Sequence, residues 1–215
     1  MNTESFNTDR YKALLFDFDG TLLDSFSAHL DVFRIMFARF GITIEKQQFL
    51  NSYSPNWYKT YEGMGLPKKD WEAADQIWLQ EVEHQEPQLY PGVSDTLRRL
   101  NEYCDIGLVT SGSKTRVVKD LERTGIISLF KVIVTGDDIQ FPKPSPDGLE
   151  KALQTLDVQP EEAAYIGDAN ADYEMSRAGG VNFIGVRSAY DRFKHSDAFI
   201  CMASINELPE LLGIF

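Results

Sequence analysis

Short apolar runs recur along the chain, and each ends abruptly on polar residues. Lys12-Ala-Leu-Leu-Phe16 runs into Asp17-Phe-Asp-Gly-Thr21, and comparable runs occupy Ile106 to Val109, Val132 to Val134, Ala163 to Ile166 and Asn182 to Val186. Brief apolar segments bounded by turn residues predict strands buried on both faces. Between them Val93 to Tyr103, Ser113 to Thr124 and Pro146 to Leu156 read as helices. Strand alternating with helix predicts a parallel sheet, and so an α/β doubly wound, Rossmann-like core.

The alternation stops between about Ser25 and about Gln88. That segment carries helical patterns at Ala28 to Phe40 and Trp71 to Glu83 but no strand pattern. It is expected to be an inserted helical domain over 25–87, with 1–24 and 88–215 forming the core. Pro87 and the pair Pro91-Gly92 punctuate its exit, so the chain is expected to hinge on both sides of the insert.

Bulk properties narrow the classes. The 215 residues suffice for one sizeable core with a smaller module. A net charge of -12 disfavours nucleic acid and anionic membrane surfaces as partners, since both select clustered Lys and Arg. The two cysteines, Cys104 and Cys201, lack metal-type spacing and suggest no disulfide framework. The polar opening Met1 to Arg10 has no apolar core, and no later run is long enough to span a bilayer. A soluble cytoplasmic protein, monomer or homodimer, is expected.

In open parallel sheets ligands bind beyond the carboxyl ends of the strands. Here those ends are polar: Asp17 and Asp19 after the first, Thr110-Ser111-Gly112 after the second, and Gly167-Asp168 after the fourth, with Asp172 four residues on. Lys143 lies in the loop after the third, Phe-Pro-Lys-Pro-Ser-Pro. Singly, each feature has an ordinary explanation: Asp-Gly makes turns, Thr at a strand end caps helices, and Lys before Pro is commonly solvated. Several carboxylates gathered in one pocket, however, repel one another unless a cation holds them, and hard oxygen ligands suit Mg²⁺.

In order, Asp-x-Asp-Gly-Thr, Thr/Ser, Lys-Pro and Gly-Asp-x-x-x-Asp resemble the motifs of the haloacid dehalogenase superfamily, whose phosphatase members carry all four. The resemblance covers Leu14 to Thr21, Gly107 to Ser113, Lys143 to Pro146 and Gly167 to Asp172, and the helical insert corresponds to that family's small helical cap. It implies that Asp17 attacks phosphorus to form an aspartyl-phosphate, while Asp19 protonates the leaving oxygen and later activates water. Magnesium would sit on the carboxylates of Asp17 and Asp168 and the backbone carbonyl of Asp19, with Asp172 supporting the site. Lys143, Thr110 and the amides of the Ser111-Gly112 turn would meet the phosphoryl oxygens. Thr110 and Ser111 are adjacent hydroxyls, and either could be the ligand, with Thr110 favoured because it directly follows Leu108-Val109.

Substrate choice is expected to lie in the insert, with Arg34, Lys59 and the aromatic stretch Tyr53 to Tyr61, including Trp57 and Tyr58, as candidates. Each of these has an alternative role in packing or on a solvated surface. Asp-Phe-Asp-Gly-Thr-Leu-Leu-Asp-Ser, Tyr-Pro-Gly-Val and Gly-Asp-Ala resemble the phosphoglycolate phosphatase branch, so a small phosphorylated acid or sugar is the expected substrate. A sugar-phosphate mutase of the β-phosphoglucomutase type resembles the chain equally at the four motifs. A catalytically dead phosphate-binding protein is the remaining alternative, and Asp19 argues against a dehalogenase.

Overall fold

A computed structural model of the chain describes residues 11–52, 57–188, 193 and 198–214. The chain divides into two compact units, Met1–Asp24 with Gln88–Phe215, and Ser25–Pro87.

The first unit is built on a parallel sheet of β1 (Ala13–Phe16), β2 (Asp105–Val109), β3 (Val132–Val134), β4 (Ala163–Gly167), β5 (Asn182–Val186) and β6 (Ile200–Met202). Their order across the sheet is β3-β2-β1-β4-β5-β6, with every neighbouring pair parallel. Side chains alternate across a strand, and here both sets are buried. Leu14, Phe16, Ile106, Leu108 and Ile166 face a core shared with α5 (Val93–Leu100) and α6 (Lys114–Arg123). Ala13, Leu15, Val109, Ala163 and Tyr165 face a second core with α7 (Asp147–Leu156) and α8 (Asn170–Ala178). Covering both faces is what turns the strands into continuous apolar runs, the pattern from which the α/β class is legible. α9 (Leu208–Leu211) packs with α5.

Strand order places β1 beside both β2 and β4, so successive crossovers leave β1 in opposite directions. At such a switch point the crevice opens beyond the carboxyl ends of the strands. Asp17 follows β1 there, and its amide extends the ladder to Ile166 at 2.9 Å.

The second unit is helical among its described residues: α1 (Ser25–Ala38), α2 (Lys46–Ser52), α3 (Trp57–Gly63) and α4 (Trp71–Glu83). α1 packs on α4, and Phe33 is its centre, with ring centroids 5.0 Å from Phe49 and 6.0 Å from Trp78. Among the described residues no helix is long and apolar enough to cross a membrane.

Candidate active site

The turn after β1 is shaped by one glycine. Gly20 adopts φ 85°, and a Cβ there would lie 2.5 Å from Asp168 Oδ2. Only a residue without a side chain permits both the left-handed conformation and that approach. The turn closes through Leu22 and Leu23 amides donating to the Phe18 carbonyl at 3.0 and 2.9 Å, and Thr21 Oγ1 lies 3.4 Å from Asp168 Oδ1. Asp17 and Asp168, far apart in sequence, are thereby brought to one point.

Asp172 arrives from the first turn of α8, where its Oδ2 accepts the Ala169 amide at 3.0 Å. One carboxylate oxygen from each of Asp17, Asp168 and Asp172 lies within 4.8 Å of the others, and all three residues are buried. Lys143 enters from the loop after β3: its Nζ donates to Asp17 Oδ1 at 2.6 Å, to Asp172 Oδ1 at 2.8 Å and to the Tyr165 hydroxyl at 2.7 Å. Tyr165 in turn donates to the Val109 carbonyl at 2.8 Å.

Burial pushes the Asp17 carboxyl well above the usual carboxylate range; Lys143 opposes this, while Asp172 and Asp168 reinforce it. Burial acts to lower the Lys143 pKa, but Asp17 and Asp172 outweigh it and hold the ammonium charged. Burial, then Asp172, keeps the Tyr165 phenol neutral and able to donate. Three buried carboxyl groups around one ammonium repel one another when ionised, and a hard cation bound among them would relieve that repulsion.

Thr110 directly follows β2, is buried, and its Oγ1 accepts the Gly112 amide at 3.2 Å, leaving the hydroxyl hydrogen free to donate elsewhere. Ser111 is exposed. Asp19 does not join the carboxylate cluster with its side chain; it is gripped by Arg116, with Nη1 3.1 Å from Oδ1 and Nη2 on Oδ2.

The sequence matches the haloacid dehalogenase-like hydrolase family over residues 14–186. The chain belongs to the haloacid dehalogenase-like hydrolases. Among curated relatives, pyrophosphatase PpaX of Bacillus pumilus (strain SAFR-032) is 29% identical over 232 residues, covering 100% of this chain and 98% of that protein. Validoxylamine A 7'-phosphate phosphatase of Streptomyces hygroscopicus subsp. limoneus is 24% identical over 205 residues, covering 92% and 96%. A predicted phosphoglycolate phosphatase from Haemophilus somnus shares the fold with a TM-score of 0.80 at 16% identity, covering 94% of this chain and 97% of that one.

Members of this hydrolase family are enzymes, and a divalent metal fits the residues of this chain. The donors are hard carboxylate oxygens, they converge, and Gly20 brings backbone against Asp168 where any side chain would intrude. The expected ligands Asp17 and Asp168 are within this cluster; the part expected of Asp19 is its backbone carbonyl.

Arg34 and Lys59 belong to the helical unit, where Arg34 donates to Asp31 at 3.1 Å and Lys59 is exposed. Tyr61 is fully buried in that unit's own core. Tyr58 stacks on Trp71 with centroids 4.8 Å apart, and the Tyr58 and Tyr61 hydroxyls both donate to Asp75 at 2.9 Å. These contacts give both tyrosines a packing role. Tyr53 and the Trp57 side chain lie outside the described residues.

Two site residues were not expected from sequence. Tyr165 is a phenol within the buried run Ala-Ala-Tyr-Ile-Gly, and a buried hydroxyl requires a partner, which was the available signal. Arg116 stands near the N-terminus of α6, where the helix end disfavours a cation unless an acid pairs with it.

Proposed function

We propose that this hydrolase is a magnesium-dependent phosphatase that removes the phosphoryl group of a small phosphorylated metabolite through an aspartyl-phosphate at Asp17. The observation that carries the reading is the buried ion pair of Asp17 and Lys143 at 2.6 Å, beside Asp168 and Asp172. A carboxylate and a phosphate dianion repel each other, so the nucleophile needs neutralising charge on the side from which phosphorus approaches.

Asp17 Oδ bonds to phosphorus as the bond to the leaving oxygen breaks, and Asp19 gives that oxygen a proton. Water then attacks the aspartyl-phosphate, its proton passing to Asp19, and inorganic phosphate departs with Asp17 restored. Lys143 holds Asp17 in place and meets phosphoryl oxygens, joined by the Thr110 hydroxyl. Ser111 and Gly112 complete the turn against the phosphoryl group. A magnesium ion on Asp17, Asp168 and the Asp19 carbonyl would supply further charge neutralisation. Asp172 holds Lys143 and closes the first turn of α8.

PpaX is named for pyrophosphate and the Streptomyces relative for a phosphorylated metabolite, which supports a small phosphorylated substrate without choosing between them. The test is phosphate release from pyrophosphate, phosphoglycolate, sugar phosphates, nucleotides and p-nitrophenyl phosphate, with magnesium and with chelator. Magnesium-dependent release favouring one compound names the substrate class. A phosphoenzyme that persists until a sugar phosphate accepts its phosphoryl group would instead identify a mutase.

A further inference from the structure

Arg116 has no task in the reaction as written above, yet a frame of ion pairs holds its guanidinium at Asp19. Asp120, buried and four residues further along α6, lies 3.6 Å from Arg116 Nη1 and also accepts Arg123 Nη2 at 3.0 Å. The anchor of Arg116 is therefore itself fixed. From this base the fork spans 97 positions of sequence to Asp19, one nitrogen on each carboxylate oxygen. A Cβ at Gly112 would collide with the same guanidinium, so the glycine of the Thr110–Gly112 turn is what lets Arg116 lie against it.

An aspartate that is partly exposed ordinarily samples several rotamers. A bidentate guanidinium on a braced helix removes that freedom and fixes the plane of the carboxylate. We propose that Arg116 is a positioning residue that sets Asp19 for its second duty, taking the proton of the water that cleaves the aspartyl-phosphate. The inference rests on the phosphatase reading above. In that step the water oxygen bonds to phosphorus, the bond from phosphorus to Asp17 Oδ breaks, and the water proton goes to Asp19, which delivers it to the next leaving group.

With p-nitrophenyl phosphate the two halves of the cycle separate, because nitrophenolate leaves without needing a proton while the water still needs its base. Rapid mixing of the full chain with this substrate and magnesium provides the test. Arg116→Ala is expected to show a burst of nitrophenolate approaching one equivalent, then a steady rate about ten- to a hundred-fold below the unaltered protein, with KM falling alongside kcat. Asp19→Asn is expected to show the same signature. Arg116→Lys keeps the charge without the fork and is expected to retain the burst; it also carries the test if the alanine variant fails to fold by circular dichroism.

A slowed first turnover with no burst, or an unchanged steady rate, would overturn the inference. If the unaltered protein releases nitrophenolate and Asp17→Asn does not, such a result overturns the role of Arg116 alone. No release by the unaltered protein, or undiminished release by Asp17→Asn, overturns the phosphatase reading and this inference with it.

Discussion

Replacing Lys143 with methionine removes an ammonium while keeping an unbranched side chain of similar length. The side chain of Lys143 is 9% exposed, and its Nζ lies 2.6 Å from Asp17 and 2.8 Å from Asp172. Deleting one partner of a buried ion pair costs about 3–5 kcal/mol, because the other charge is left uncompensated. Two carboxylates lose their cation here, which places the loss at the upper end of that range. At about 2–4 °C per kcal/mol for a protein of this size, the thermal midpoint falls by on the order of 10 °C. The sign with pH is fixed by direction: a lysine whose folded pKa is raised contributes fully below its unfolded pKa, so the whole deficit is present at neutrality and fades only as alkali titrates the folded group.

Calorimetry in chelator at neutral pH measures this deficit, and phosphate release with magnesium measures the accompanying loss, about 10²–10³ in kcat for one preorganised donor. The double variant Lys143→Met, Asp172→Asn separates charge from packing. It removes one of the stranded carboxylates and is expected to regain about 1–3 kcal/mol of stability without regaining activity. A single variant melting within about 2 °C of the unaltered protein, or strictly additive losses in the double, would refute the charge argument.

Asp17→Asn is expected to abolish turnover and to stabilise the metal-free protein. Because burial raises the Asp17 pKa in the folded state, the chelated protein loses stability as pH climbs above the unfolded value of about 3.9, and the asparagine variant flattens this part of the melting profile. Magnesium should raise the midpoint of the unaltered protein and raise that of Asp17→Asn less. Tyr165→Phe leaves the Val109 carbonyl without its donor, costs about 1–3 kcal/mol by chemical denaturation, and lowers kcat less than Lys143→Met does. Gly20→Ala meets a φ of 85° and the Asp168 carboxylate at 2.5 Å; it costs about 1–3 kcal/mol of backbone strain and should abolish the magnesium-induced rise in midpoint.

The core elements were legible because burial on both faces writes itself as apolar runs: Val132–Val134 and Asn182–Val186 are strands over the expected residues, and Trp71–Glu83 is a helix over its expected span. The helix expected over Val93 to Tyr103 stops at Leu100, where the chain turns into β2 and Arg99 reaches the Ile214 carbonyl at 2.8 Å. β6 was not expected: Ile200–Met202 stands at the sheet edge beside β5 with Ile200 exposed, so it lacks the burial on both faces that marks the other strands. The contact between Arg116 and Asp19 depends on how α6 is docked after β2, and no local pattern encodes that.

The strand ends placed the acids together, and the division of labour among them came from the family resemblance, which gave Asp172 a supporting part. The hydrogen bonds describe one of them closely: both Asp172 oxygens accept donors from the core itself, Oδ1 from Lys143 and Oδ2 from the Ala169 amide. A cation on Asp172 would compete with those bonds. On the proposed reading Asp17 and Asp168 would be the carboxylates that hold the metal. Asp172 would then be the counter-charge that keeps Lys143 at Asp17, so Asp172→Asn should depress kcat while leaving the magnesium-induced rise in melting temperature largely intact. A loss of that rise in Asp172→Asn would refute this and add Asp172 to the ligand set.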